Sequence, residues 1–248
     1  GTLFVAKTEP KELTAAPQKE AGLPVSVPEE LVSTLFSPNS VTPCVACIGV
    51  APTGEVFAGV DQIGSLGKGG GKGRIIRLVD EDHDGISDIR TEYALIDNPR
   101  GIVPVGNKLY VLHTKWGEGT KFDGMFLSVL EDQDGDGVAD GPPRHLVREI
   151  STRKYNQARG VDHTTNGIRM GIDGWIYVAV GDFGFVNATG TDGKKLTMFG
   201  GGIIRVRPDG TELETYASGL RNIYDVAIDP FMNVFTRGNT NDGGGWNM

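Results

Sequence analysis

Met125-Phe-Leu-Ser-Val-Leu130 leads through Glu131 into Asp132-Gln-Asp134-Gly-Asp136-Gly137-Val-Ala-Asp140. Earlier in the chain, Arg74-Ile-Ile-Arg-Leu-Val79 leads in the same way into Asp80-Glu-Asp82-His-Asp84-Gly85-Ile-Ser-Asp88. Both acidic stretches read D-x-D-x-D-G-x-x-D, and each follows a short apolar run of strand-like composition. Carboxylates at positions 1, 3, 5 and 9 can converge on a hard cation such as Ca²⁺, and the glycine at position 6 permits the sharp turn. Position 12, a bidentate Glu in EF-hands, is Thr91 in one stretch and Pro143 in the other, so moderate affinity and no switching are expected. A recurring strand–loop–strand unit also means a fold assembled from copies of one module.

A second pattern repeats with it: a short apolar run, a turn, then a strand bearing an aromatic. The four copies are Cys47–Val60, Gly101–Leu112, Gly167–Val180 and Tyr224–Thr236, with Phe57, Tyr110, Tyr177 and Phe235 at matching places. Each reads as a hairpin whose turn carries Gly or Asn, the residues that accept positive φ. Arg74–Val79, Met125–Leu130 and Gly202–Arg207 supply a further strand per unit, the last ending in the plain turn Pro208-Asp-Gly210. No helical period is sustained. Several strands per unit, recurring at this interval, predict an all-β chain of the β-propeller type. About three and a half blades fit into residues 31–248, preceded by an extended Pro-, Lys- and Glu-rich arm over residues 1–30. The missing blades are expected from the rest of a longer native chain or from another chain.

The composition narrows the function classes. A net charge of −8 and the absence of a Lys/Arg-rich stripe argue against nucleic acid as partner. No apolar run is long enough for a membrane span. Acidic loops of calcium type favour an extracytoplasmic location, where weak sites of about 10⁻⁴–10⁻³ M are filled. The only cysteines, Cys44 and Cys47, are spaced C-x-x-C, but Ile48 follows, so the haem-attachment motif is absent. Packing in a strand and a local disulfide both remain open for them. A catalytic redox pair is not expected, because no helix begins there to lower a thiol pKa.

In a propeller, the ends of the innermost strands surround a central channel. The polar residues at those ends are Arg100, Asp162-His163 and Arg221-Asn222 before the strands, and Asp61, His113, Asp182 and Asn239 after them. Asp162-His163 is the most specific pair, since a histidine beside a carboxylate can act as a general base. The alternative is that His163 merely hydrogen-bonds a neighbouring blade. His113 can face the channel or the core, His83 lies in an acidic loop, and His145 follows Pro142-Pro143-Arg144 in a linker. The glycine run Gly67–Gly73 fits neither phosphate-binding pattern and reads as a mobile hairpin tip.

Asp162-His163-Thr-Thr-Asn-Gly167-Ile-Arg-Met-Gly-Ile-Asp-Gly174-Trp-Ile-Tyr177-Val-Ala-Val-Gly181-Asp182 resembles the "DH…G…GPDG-x-(I/L)Y…GD" segment of soluble quinoprotein sugar dehydrogenases. Gly219-Leu-Arg221-Asn222-Ile-Tyr-Asp-Val-Ala-Ile-Asp229-Pro230 resembles their "G-(H/L)-R-N-P" segment, with Ile223 in place of the usual proline. The loop Asn239-Thr-Asn-Asp-Gly-Gly-Gly differs from their "GPN" loop. The likeness is greater still to large secreted proteins of Planctomycetes and Verrucomicrobia described as membrane-bound dehydrogenases, which share the acidic blade loops and often carry a c-type haem domain.

The resemblance implies a six-bladed propeller holding pyrroloquinoline quinone (PQQ) and Ca²⁺ over the channel. It implies His163 as the base that takes the substrate hydroxyl proton, with Asp162 beside it and Arg221 against the quinone oxygens. Asn222, Asp182 and Arg100 would be further cofactor contacts, and the later blades would supply cations for the PQQ carboxylates. The expected function is oxidation of a sugar or other alcohol, with electrons passed to a quinone and then to a cytochrome c domain or subunit. The competing expectations are a non-catalytic calcium-binding propeller that binds carbohydrate or protein, and a structural subunit of a cell-envelope assembly.

Overall fold

Valine, isoleucine and aromatic residues alternating with polar ones fill the hairpins around Phe57, Tyr110, Tyr177 and Phe235, and all four hairpins form. The computed structural model describes Glu12, Leu13 and residues 26–239. Most of the expected arm over residues 1–30 and the loop 240–248 lie outside the described residues. The hairpins are β1 (Val45–Val50) with β2 (Val56–Asp61), β5 (Asp97–Val105) with β6 (Lys108–Trp116), β9 (Thr165–Met170) with β10 (Ile176–Val180), and β15 (Ala227–Ile228) with β16 (Val234–Phe235). In the first three, antiparallel third strands follow: β3 (Gly73–Val79), β7 (Phe122–Glu131) and β13 (Gly201–Val206). The outer strands are β4 (Ile89–Leu95), β8 (Arg144–Arg148) and β14 (Glu214–Leu220). The chain is therefore a partial β-propeller, with three four-stranded blades and the first hairpin of a fourth among the described residues. No described helix is long and apolar enough to cross a membrane.

Two elements depart from the repeat. A short helix, α1 (Arg153–Arg159), separates the second blade from the third and accounts for the longer interval between Tyr110 and Tyr177. A hairpin of β11 (Phe185–Gly190) and β12 (Lys195–Met198) is inserted between β10 and β13, yet it pairs with β8 of the preceding blade (Thr189 opposite Arg148). It covers that blade's outer edge and makes its sheet six-stranded.

The core lies between blades. Phe57, Ile75 and Tyr93 of the first blade meet Ile102, Leu109 and Val111 of the second. Tyr110, Leu127 and Val129 of the second meet Ile168, Val178 and Ile204 of the third. Tyr177 and Ile203 of the third meet Ile223 and Val226. Each second-strand aromatic thus packs toward the following blade, whereas Phe235, at the same place in the fourth hairpin, is 56% exposed. Inner strands come close enough to exclude side chains. A Cβ on Gly101 would stand 2.8 Å from the Ile168 nitrogen, and one on Gly167 would overlap the Asp225 carboxylate.

The acidic stretches are the third-to-outer-strand connections. The second reaches back to the first blade, where the Ala139 N–H donates to the Tyr93 carbonyl at 3.0 Å. The first meets a segment nearer the N-terminus: the Ser87 N–H and hydroxyl both donate to the Phe36 carbonyl. Glu12 bridges to Thr91 on the outer strand β4.

One histidine differs from its sequence placement, and for another the structure selects between two alternatives. His145 lies in strand β8, not in a linker, and His113 is buried in the second sheet, the core alternative. Ser128 joins them: its Oγ lies 2.9 Å from His113 Nε2 and 2.8 Å from His145 Nδ1. Burial pushes the His113 pKa down to about 4. Burial, followed by the nearby Arg148 and Lys115, does the same to His145, also to about 4.

Both folded-state values lie below the unfolded 6.5, so the folded protein keeps these rings neutral and protonation favours unfolding. Stability should be fully present above pH 6.5 and fall as the pH drops from 6.5 toward 4, with His113 alone contributing on the order of 3 kcal/mol. Urea unfolding at stepped pH checks this. The decline between pH 6.5 and 5 should be shallower in His113→Gln, and a plateau extending to pH 5 in the unaltered protein would contradict the assignment.

Candidate functional site

The turn from α1 into β9 sets the site. Asn156 is buried, accepts from the Ser151 hydroxyl at 2.6 Å and donates to the Gly160 carbonyl, which closes the helix. Gly160 stands at φ 73° against the backbone of Ser65–Gly67, and the Val161 N–H donates to the Ser65 carbonyl at 2.6 Å. The glycine-rich loop of the first blade therefore braces the rim of the third. Its Gly71 N–H also donates to Asp97 Oδ1 at 2.7 Å, so it is a tied loop where the sequence suggested a mobile tip.

His163 follows. Its Nδ1 lies 2.6 Å from Asp182 Oδ1, at the far end of β10. Asp162 Oδ2 stands 3.8 Å from His163 Nε2 and accepts from Arg159 Nη2 at 2.7 Å. The hydrogen-bonded partner of His163 is thus Asp182, which the sequence assigned to cofactor contact, and Asp162 is a flanking charge. Phe183 stacks on the imidazole, with ring centroids 5.5 Å apart and an interplanar angle of 21°, and Tyr155 of α1 lies against the same phenyl ring. Gly181 makes the pairing possible. Its N–H donates to the Thr164 carbonyl, and a Cβ there would overlap the Thr164 and His163 carbonyl oxygens.

The other candidate residues lie on the adjoining inner strands. The Arg100 side chain is only 7% exposed, and its Nη2 is 3.8 Å from Asp61 Oδ2, too far for a hydrogen bond. Asn166 Nδ2 donates to the Thr164 and Ile223 carbonyls, and the Gly167 N–H donates to the Tyr224 carbonyl. With Gly101 against Ile168, these contacts set Arg100, Asn166 and Asn222 on neighbouring chain segments around the channel. Arg221 Nη1 donates to the Asn239 carbonyl at 3.1 Å.

Burial without partners is concentrated here. Among the described residues, Arg100 Nε and Nη2, Asp162 Oδ1, Asn166 Oδ1 and Asn222 Oδ1 are buried with no hydrogen-bond partner. Native proteins seldom leave such atoms unsatisfied unless a water, ion or ligand meets them. Asn166 carried no signal in the sequence beyond its place between His163 and the inner strand. Phe183, Tyr155 and the bracing loop carried none, because they arrive by tertiary packing.

The acidic loops form a separate pair of candidates. One ligand atom each from Asp80, Asp82 and Asp88, and likewise from Asp132, Asp134 and Asp136, lie within 4.8 Å of one another. Asp84 and Asp140 stand outside these groups and bond loop amides, Ile86 N–H at 2.8 Å and Gln133 N–H at 2.6 Å. Asp80 Oδ1 is buried without a partner. Each loop therefore has three carboxylates able to hold a hard cation. The Cys44 and Cys47 thiols are not joined, and burial pushes the Cys47 thiol up to about 12, opposite to what a reactive thiol needs.

A family model described as "Domain of unknown function (DUF7133)" matches residues 45–247. No curated protein matches the chain in sequence. Among solved structures, the PQQ-bound aldose sugar dehydrogenase of Streptomyces coelicolor is 19% identical with a TM-score of 0.52, over 78% of this chain and 55% of that one. A Thermus thermophilus protein described as an oxidoreductase (glucose dehydrogenase) is 19% identical with a TM-score of 0.52, over 79% of this chain and 57% of that one. At this identity the likeness concerns the fold. The chain spans about half the length of the first of the solved structures it matches.

Gly181→Ala should force the β10 end away from His163. The expected result is a loss of about 2 kcal/mol or more in stability, from backbone overlap that no rotamer relieves. The His163 side-chain resonances should shift with it, as read by urea unfolding and imidazole NMR. A variant of unchanged stability and spectrum would show that this close approach is not required.

Proposed function

The chain belongs to the family described as a domain of unknown function (DUF7133), and we propose that its channel mouth is the acid–base half of a site that oxidises a sugar or other alcohol with PQQ, outside the cytoplasm. The observation that carries this reading is the His163–Asp182 pair at 2.6 Å, beside a ring of buried polar atoms that have no protein partner.

Asp182 can only accept when ionised, so His163 donates through Nδ1 and keeps a lone pair on Nε2. That nitrogen can take a hydroxyl proton, and Asp182 then stabilises the imidazolium without being protonated itself, as in other oriented histidine bases. Asp162, paired with Arg159, stands 3.8 Å from Nε2. The Phe183 ring fixes the imidazole plane and shields one of its faces from water.

PQQ, when bound, supplies the two-electron acceptor. The residues present fit one side of such a group. Arg100 offers two unpaired donors to quinone or carboxylate oxygens, and Arg221 a second guanidinium. Asn166 Oδ1 and Asn222 Oδ1 offer acceptors for a hydroxyl group or a cation. The remaining side belongs to blades beyond this chain, and a cytochrome c domain or subunit receives the electrons.

Kinetics of the full-length protein with PQQ and Ca²⁺ test the reading. Loss of a positioned base costs about 10²–10⁴ in rate, so His163→Ala should lower sugar turnover by that much while PQQ still binds. Arg100→Gln should weaken PQQ binding itself. The rival view, a propeller that only binds carbohydrate or protein, expects no turnover in any variant.

The acidic loops take Ca²⁺ in this account; the second fastens its blade to the outer strand of the first, and the first holds the segment around Phe36. Saturating calcium at 100 Kd should stabilise the fold by about 2.7 kcal/mol per site. Calorimetry of chelated and calcium-loaded protein reads this, with Asp132→Asn losing part of the gain. An unchanged Tm would leave the loops as acidic turns.

A further inference from the structure

Away from the channel, a cavity of about 450 Å³ opens between the first and second blades. That volume suits a small organic ligand. Its walls combine Leu95 and Ile96 from the end of the first blade with Pro142 and Pro143 before β8; its polar residues are His113, Thr114, Lys115, His145 and Asp97, whose carboxylate accepts from the Gly71 N–H at 2.7 Å. The His145 ring is stacked on Phe126 with centroids 4.0 Å apart and an interplanar angle of 14°, so the imidazole wall is held in plane from behind.

The hydrogen-bond chain beneath this wall fixes which atom His145 offers. The Thr114 carbonyl lies 2.8 Å from His113 Nδ1 and can only accept, so that nitrogen carries the proton. His113 Nε2 is then an acceptor, and the Ser128 hydroxyl donates to it at 2.9 Å. Ser128 has one proton, now committed, so it must accept from His145 Nδ1–H at 2.8 Å. His145 is thereby left with a bare lone pair on Nε2, and among the described residues nothing donates to it. Three buried groups, none of them at the channel site, are spent on holding one imidazole in one tautomer. Burial, and after it the nearby Arg148 and Lys115, oppose its protonation.

We propose that this cavity is a second ligand site, selective for a planar aromatic hydroxy acid. The ligand ring lies between the proline wall and the apolar end of the first blade, its hydroxyl donates to His145 Nε2, and its carboxylate pairs with Lys115. The site needs neither PQQ nor the acid–base chemistry of the channel.

The probe is 4-hydroxybenzoate, titrated into the full-length protein at pH 7.5 and followed by ¹⁵N imidazole NMR. The free protein should show both His113 and His145 as Nδ1–H tautomers. The probe should shift the His145 Nε2 signal saturably, and benzoate, lacking the donor, should bind about 10-fold more weakly. Lys115→Ala, a change at an exposed side chain, should weaken 4-hydroxybenzoate and leave 4-hydroxybenzyl alcohol unaffected. A protonated Nε2 in the free protein overturns the proposal. So does the absence of a saturable shift at millimolar probe, or equal binding of benzoate and 4-hydroxybenzoate.

Discussion

Inner strands of successive blades meet at backbone distance, and most of what is distinctive in this chain follows from that constraint. Gly101 abuts the Ile168 nitrogen, and Gly167 abuts Asp225. Such contacts leave no room for a Cβ, so the residue immediately before each glycine is carried to the rim of the channel whatever its polarity. Those residues are Arg100 and Asn166. The same packing bars water from their side chains, so their unpaired atoms come from the way the blades are assembled.

Unpaired buried polar atoms are costly, roughly 1–3 kcal/mol each, and a protein of ordinary stability carries few of them. Here they gather at one end of the channel, next to a histidine already oriented by Asp182. Many other buried polar groups are paired. Ser128 satisfies two histidines at once, Asn98 joins Asp61, Thr114 and Trp116, and the loop carboxylates cap the amides of their own turns. Apart from Asp80 Oδ1 in the first acidic loop, the buried side-chain atoms without a partner among the described residues lie where a ligand is expected.

Much of the fold was legible because its unit repeats. Phe57, Tyr110, Tyr177 and Phe235 mark the second strand of each hairpin, and the D-x-D-x-D-G loops fall at matching connections of two blades. The inserted β11–β12 hairpin was not legible. Its strands are short and mixed in polarity, and its place against β8 of another blade is set by tertiary packing. The site shows the same division. Asp162-His163 and Gly181-Asp182 stood out in the sequence, but adjacency along the chain suggested Asp162 as partner. The true hydrogen bond crosses from the start of β9 to the end of β10, a pairing decided by strand register. His145 was misplaced, and His113 left open, for a related reason: the serine that joins them lies on a third strand.

On the proposed reading, the channel mouth is a ligand site that further blades complete. A crystal structure of the full-length protein grown with PQQ and calcium tests it most directly. The account predicts ligand density over the channel, within hydrogen-bond reach of Arg100, Asn166 and Asn222, with His163 Nε2 facing it and Nδ1 still on Asp182. A mouth filled by side chains of the completing blades, each pairing one of those orphaned atoms, would contradict it.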